Sequence, residues 1–110
     1  MDYGTKYIDI VKKIVLSNID KEATCVFIFG SRADKSNSSR SDIDIGIKCK
    51  NDLGKTRYRI LNAIDESNVP YKVDLVDLNH ADGNFKRTIA GSVFEIWNKP
   101  KDLSLKELFS

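Results

Sequence analysis

Two stretches decide how this chain folds: Thr24-Cys25-Val26-Phe27-Ile28-Phe29-Gly30-Ser31 and, eleven residues beyond Ser31, Asp42-Ile43-Asp44-Ile45-Gly46-Ile47-Lys48-Cys49. The first is too short for a helix, rich in β-branched and aromatic residues, and stopped by Gly30-Ser31, which suits a buried central strand. The second alternates without a break. Ile43, Ile45, Ile47 and Cys49 fall on one face and Asp42, Asp44 and Lys48 on the other, the pattern of a half-buried strand with an acidic side. Between them, Asp34 to Ser41 holds four serines and no apolar residue, so a solvated loop is expected there.

Working outward, Tyr7, Ile8, Val11, Ile14 and Val15 recur at helical spacing and predict an amphipathic helix from about Tyr3 to Asn18. After a turn at Asn51 to Gly54, Lys55 to Asn68 carries Tyr58, Leu61 and Ile64 every third residue, a second helix. Pro70 opens a third strand, Tyr71 to Asp77, with Val73 and Leu75 facing one way and Asp74 and Val76 the other. Asn79 to Asp82 supplies helix-start chemistry. The helix that follows places Phe85 and Ile89 on one face and is expected to end near Gly91 as a left-handed cap. Val93 to Trp97 adds a short strand, and beyond Pro100 the tail offers Leu105, Leu108 and Phe109 as an apolar patch. That patch either contacts a partner or packs on its own domain. Strands and helices alternate along one α/β domain, 1–110, with no internal repeat.

A chain of 110 residues and 12.4 kDa, 41% hydrophobic and 31% charged, has the apolar material for one core and is not the composition of a disordered segment. It leaves no length for a separate substrate domain. Eighteen basic and 16 acidic residues give +2, with the signs interspersed, which argues against a dedicated nucleic-acid-binding protein. The longest apolar run, Cys25 to Phe29, is far from a membrane span, and Met1 to Ser17 lacks signal-peptide layout, so a cytoplasmic location is expected. Cys25 and Cys49 lack zinc or disulfide spacing and read as small strand hydrophobes.

Asp42 and Asp44 share a strand face with alpha carbons about 6.5 to 7 Å apart. Lys48 is the one cation noted among their strand neighbours. Carboxylates so placed repel, and a divalent cation relieves that cost. Oxygen donors without His or Cys select a hard ion such as magnesium, commonly shared with substrate phosphates. Asp74 has the parity to join them, and a third acid allows two ions to clamp the attacking and leaving oxygens of a phosphoryl-type displacement. Gly30-Ser31 complements the acids by letting backbone amides and a hydroxyl approach a phosphate, with Arg32, Lys35 and Arg40 nearby. Each feature alone has a plain reading, a strand-ending turn or a solvated polar face. Their conjunction points to chemistry.

Phe29-Gly30-Ser31-Arg32-Ala33 followed by Ser41-Asp42-Ile43-Asp44-Ile45 resembles the signature of the DNA polymerase beta-like nucleotidyltransferase superfamily in its minimal, single-domain form. The resemblance extends through the Tyr71 to Leu78 strand, where Asp74 stands in place of the third acid. It implies a mixed three- to four-stranded sheet with flanking helices. It also implies that Gly30, Ser31 and Arg32 hold a nucleoside triphosphate, ATP or another, and that Asp42, Asp44 and Asp74 bind magnesium, two ions, in catalysis. Asp74 would further help activate an acceptor hydroxyl. Minimal members are commonly paired with a helical HEPN-type protein, some as antitoxins that adenylylate it. Where many relatives continue with another basic residue, this chain has Asp34 and then Lys35, so position 34 is given no phosphate role.

Asp77 shares the parity of Val73 and Leu75 and is assigned to the strand end or a cap rather than to metal. His80 reads as a surface or capping residue, and Trp97 as core. Tyr58 and Arg59 have helix-face explanations. Two other readings stay open: a catalytically inactive nucleotide- or partner-binding module, and an Asp-x-Asp phosphatase or sugar transferase. Gly30-Ser31 in the position after the first strand and the short chain weigh against the last two.

Overall fold

The computed structural model describes residues 3–30 and 43–109. The elements are α1 (Tyr3–Ser17), β1 (Thr24–Phe29), β2 (Ile43–Cys49), α2 (Thr56–Glu66), β3 (Val73–Asp77), α3 (Gly83–Ala90), β4 (Val93–Asn98) and α4 (Leu105–Leu108). Among the described residues the strands form one mixed sheet in the order β3-β2-β1-β4. β1 is interior and antiparallel to both neighbours, whereas β2 and β3 are parallel and joined through α2. Being interior with both faces covered, β1 is buried at all six positions, as its unbroken apolar sequence requires.

Alternation on the strands sorts the interior into two layers. Val26, Ile28, Ile43, Ile45, Ile47 and Leu75 face α1 and α2, meeting Val11, Val15, Ile60 and Ile64 in the larger core. Cys25, Phe27 and Phe29 face the other way, toward Ile89 of α3 and Leu78. Gly46 lies on this second face because the Phe27 ring crosses it, and a β-carbon there would overlap the ring. Burying the large apolar side chains of both layers contributes about 1.5–3 kcal/mol each. Trp97, 8% exposed, belongs to the first core.

The tail packs on its own domain. The Phe109 ring stands edge-on to Phe27 at 5.5 Å, Lys50 Nζ donates to Asp102 Oδ1 at 2.6 Å, and Lys48 Nζ donates to the Glu107 carbonyl at 2.8 Å. The side chains of Leu105 and Leu108 lie outside the described ones. Cys25 and Cys49 are free thiols on opposite faces of the sheet, which rules out a bridge between them.

Two expectations need correction. Gly91 has φ −78 and closes α3 in the right-handed region, because the chain passes straight into β4 with Ser92 N donating to the Ile89 carbonyl at 2.9 Å. A left-handed cap is unnecessary there. Phe85 does not join Ile89 in the core: Ile89 is 1% exposed and Phe85 44%.

Candidate active site

The site grows from the β2–β3 register. Asp44 pairs with Asp74 across parallel strands, and the pairing is extended at both ends by Ile43 N to the Lys72 carbonyl and Leu78 N to the Ile47 carbonyl, each 2.9 Å. Adjacent strands lie about 4.8 Å apart and register partners project from the same face. The register of the two strands therefore sets these carboxylates side by side.

Gly30 closes the third side. Phe29 is the register partner of Asp44 on the opposite edge of β2, so the chain leaves β1 beside that carboxylate. Gly30 turns there with φ +87, a left-handed conformation that glycine adopts without the Cβ penalty. A β-carbon at this position would overlap Asp44 Oδ2. Its N–H donates to the Ser92 carbonyl at 3.2 Å, which ties the turn to the start of β4. The sequence-derived set is thus brought together as far as it is described: Gly30, Asp44 and Asp74 converge. Ser31, Arg32, Lys35, Arg40, Asp42 and the 34–41 loop lie outside the described residues.

A cavity of about 500 Å³ opens over the pair, lined by Asp44 and Asp74 with Phe29, Arg57, Leu61, Val73, Leu75, Val76 and Phe85. Its size is that of a small-molecule site, mostly apolar with a few convergent charges. Lys72 precedes Asp74 by two and shares its side of β3. Its Nζ stands 3.8 Å from Asp74 Oδ1, with most of the Lys72 side chain in solvent. This cation adds to the Lys48 noted from the sequence; Lys48 itself is engaged with the tail. At that distance and exposure the Lys72 pair is a surface ion pair, worth at most about 1 kcal/mol. The donor set itself is all carboxylate oxygen, in register on rigid strands, which fits a hard divalent cation.

Arg57, Leu61 and Phe85 were not singled out by the sequence as cavity residues. Arg57 and Leu61, four apart, carry the buried Ile60–Ile64 stripe of α2 round toward β3. Phe85 is fixed at the first turn of α3, where Asp82 Oδ1 accepts from its N–H at 2.8 Å.

The opposite end of the same strands gathers Asp52, Asp77 and His80, whose ligand-type atoms lie within 4.8 Å of one another. Here the chemistry is that of a turn, as the parity of Asp77 predicts. Asp77 Oδ1 accepts from Asn79 N at 2.9 Å, and Oδ2 faces exposed His80 Nε2 at 3.7 Å. Asn79 Nδ2 donates to the Cys49 carbonyl at 2.9 Å, stitching the exit of β3 to that of β2.

A parallel-paired acid doublet beside a glycine turn on an α/β sheet is the arrangement that the resemblance to nucleotidyltransferases implies. Residues 10–102 match the polymerase beta nucleotidyltransferase family, and the chain belongs to that family. Among solved structures it is similar to a variant of the toxin–antitoxin complex MntA–HpeT in which two aspartates spaced two apart are replaced by glutamate. That similarity has a TM-score of 0.65 at 19% identity, over 84% of this chain and 73% of that one. It is also similar to a tri-AMPylated Shewanella oneidensis HEPN toxin in complex with MNT antitoxin, with a TM-score of 0.62 at 20% identity, over 86% and 71%. A toxin–antitoxin structure with AMP-PNP matches with a TM-score of 0.65 at 22% identity, over 81% and 70%. At these identities the likeness is one of fold. No curated protein sequence matches this chain.

Proposed function

We propose that this chain is a magnesium-dependent nucleotidyltransferase, an adenylyltransferase, that moves a nucleoside monophosphate from its triphosphate to an acceptor hydroxyl on a paired HEPN-type helical protein, in an antitoxin role. The observation that carries the reading is the register pairing of Asp44 with Asp74 against the left-handed turn at Gly30. The MNT–HEPN and AMP-PNP complexes with this fold support the choice of partner and nucleotide.

In this reading Asp42, Asp44 and Asp74 hold the magnesium, and Gly30, Ser31 and Arg32 receive the triphosphate. Magnesium held by these carboxylates would supply neutralisation of the phosphate charge that builds up in the transfer. What the chain supplies is placement. Two strands fix the carboxylates, and the glycine leaves room for a phosphate tail beside them. No described helix is long and apolar enough to cross a membrane, and we place the reaction in the cytoplasm, where nucleoside triphosphate and magnesium are at hand.

The test is intact mass of the HEPN-type protein co-expressed with this chain, together with label transfer from ATP labelled at the α-phosphorus. Added adenylyl mass that disappears with Asp44→Asn is the expected result. A partner that is bound, unmodified and equally well neutralised by the Asp44→Asn protein overturns the enzymatic reading in favour of a binding module.

A further inference from the structure

Among the described residues the cavity lining reaches from Phe29 and Asp44 to β3, which contributes Val73, Asp74, Leu75 and Val76 in unbroken succession, with Arg57, Leu61 and Phe85 beyond. Strand order gives this weighting toward β3, since β1 lies on one side of β2 and β3 on the other. The oxygen that attacks a phosphorus and the oxygen that leaves it stand on opposite sides. With the triphosphate tail at Gly30, pyrophosphate departs toward β1. The attacking hydroxyl then arrives from β3, where the cavity is.

We propose that this β3-edge cavity seats the acceptor, and that Arg57, Leu61 and Phe85 select it: a protein segment whose hydroxyl is flanked by an apolar side chain and by a carboxylate. The proposal rests on the nucleotidyl-transfer reading. In the step itself the acceptor oxygen bonds to the α-phosphorus and the bond from that phosphorus to the bridging oxygen breaks. The electron pair leaves with pyrophosphate, and the hydroxyl proton passes through the Asp74 carboxylate to solvent.

Two features argue for that acceptor chemistry. Phe85 is 44% exposed, although its backbone is pinned by the Asp82 cap, and it stands with partly buried Leu61 on the cavity wall. This leaves an apolar wall half covered, which an apolar side chain completes. The charge at the same edge is basic once the acids are engaged by a cation: Arg57 lines the cavity and exposed Lys72 stands beside Asp74. Arginine pairs with a carboxylate in a planar fork, which gives orientation as well as attraction. An RNA acceptor would need a longer basic track, and α2 continues instead into Asp65 and Glu66.

The experiment measures magnesium-dependent binding of a fluorescent ATP analogue, N-methylanthraniloyl-ATP, alongside label transfer to the co-expressed HEPN-type protein. Phe85→Ala and Arg57→Glu are expected to keep nucleotide affinity within about twofold and to raise the acceptor KM by about tenfold, with kcat little changed and partial rescue by Phe85→Leu and Arg57→Lys. Asp44→Asn loses kcat instead. Loss of nucleotide affinity in Phe85→Ala overturns the proposal, since the cavity then holds the base. Unchanged acceptor KM in both variants, or label entering co-purified RNA rather than protein, overturns it as well. A wild-type chain that neither binds the analogue nor transfers label removes the nucleotidyl-transfer reading, and this proposal with it.

Discussion

At one end of the β2–β3 pair, Asp44 and Asp74 stand in register on the sheet face, with Gly30 against one and a cavity of about 500 Å³ over both. At the other end, Asp52, Asp77 and His80 bring ligand-type atoms within 4.8 Å of one another, but the Asp77 carboxylate accepts from the Asn79 amide and Asp52 and His80 stand in solvent. Proximity of acids is common to the two ends. What separates them is how position is enforced, and whether space is left above. In the first case strand register sets the two carboxylates side by side under a cavity; in the second the carboxylate is itself the fastening of a turn. A charged cluster becomes a reaction site when the fold bears the cost of holding it and leaves it something to act on.

The comparison breaks most visibly at Asp44. Asp44→Asn is expected to lower adenylyl transfer by about 10²–10³-fold, while Asp77→Ala, which removes the acceptor for the Asn79 amide, leaves transfer within about twofold and instead costs about 1 kcal/mol in a denaturant melt. Equal losses from the two variants in a labelled-ATP assay would erase the distinction between the ends. Gly30→Ala sharpens it: the left-handed backbone costs about 1–2 kcal/mol, and the new methyl pushes the Asp44 carboxylate aside. Transfer is expected to fall by about tenfold or more, with tryptophan fluorescence of the folded state unchanged.

The far end of β1 offers a pH-dependent contrast. Burial pushes the Cys25 thiol from 9.0 up to about 11, against the smaller opposing pull of Lys99 and Lys48. A raised acid pKa means that the folded form keeps its full contribution below pH 9 and loses it as pH climbs toward 11. Stability is expected to fall over that window by on the order of 1–2 kcal/mol, and Cys25→Ser should flatten this part of the pH profile of urea midpoints. The smallest effect belongs to the Lys50–Asp102 pair that fastens the tail. Lys50→Ala should lower the unfolding midpoint only slightly, and less in high salt.

Most of the scaffold was legible because its signals are local. β1 announces itself by a two-sided apolar run, β2 by strict alternation, and α3 by the Asp82 cap. Parity also placed Asp74 on the face of Asp44 and turned Asp77 away from it. The direct pairing of Asp44 with Asp74 was out of reach, because parity gives a face but not an offset, and the offset is set by how the α2 crossover closes. Phe85 misled for a related reason. Its spacing from Ile89 is that of a buried stripe, yet at the first turn of α3 it stands on the cavity wall, 44% exposed, instead of in the core. The seat of Phe109 was equally hidden, since it depends on the Phe27 ring crossing Gly46, a contact between strands. Lys72 was open to the same parity argument as Asp74 and was passed over.

The parallel pairing of β2 with β3 has a consequence in time as well as in space. A parallel neighbour can be reached only by way of a crossover, here through α2, so Asp44 and Asp74 meet only once that crossover has closed. A polypeptide still emerging from the ribosome carries Asp44 long before Asp74 exists to stand next to it. The acid doublet is therefore complete only when β3, an edge strand of the sheet, has docked.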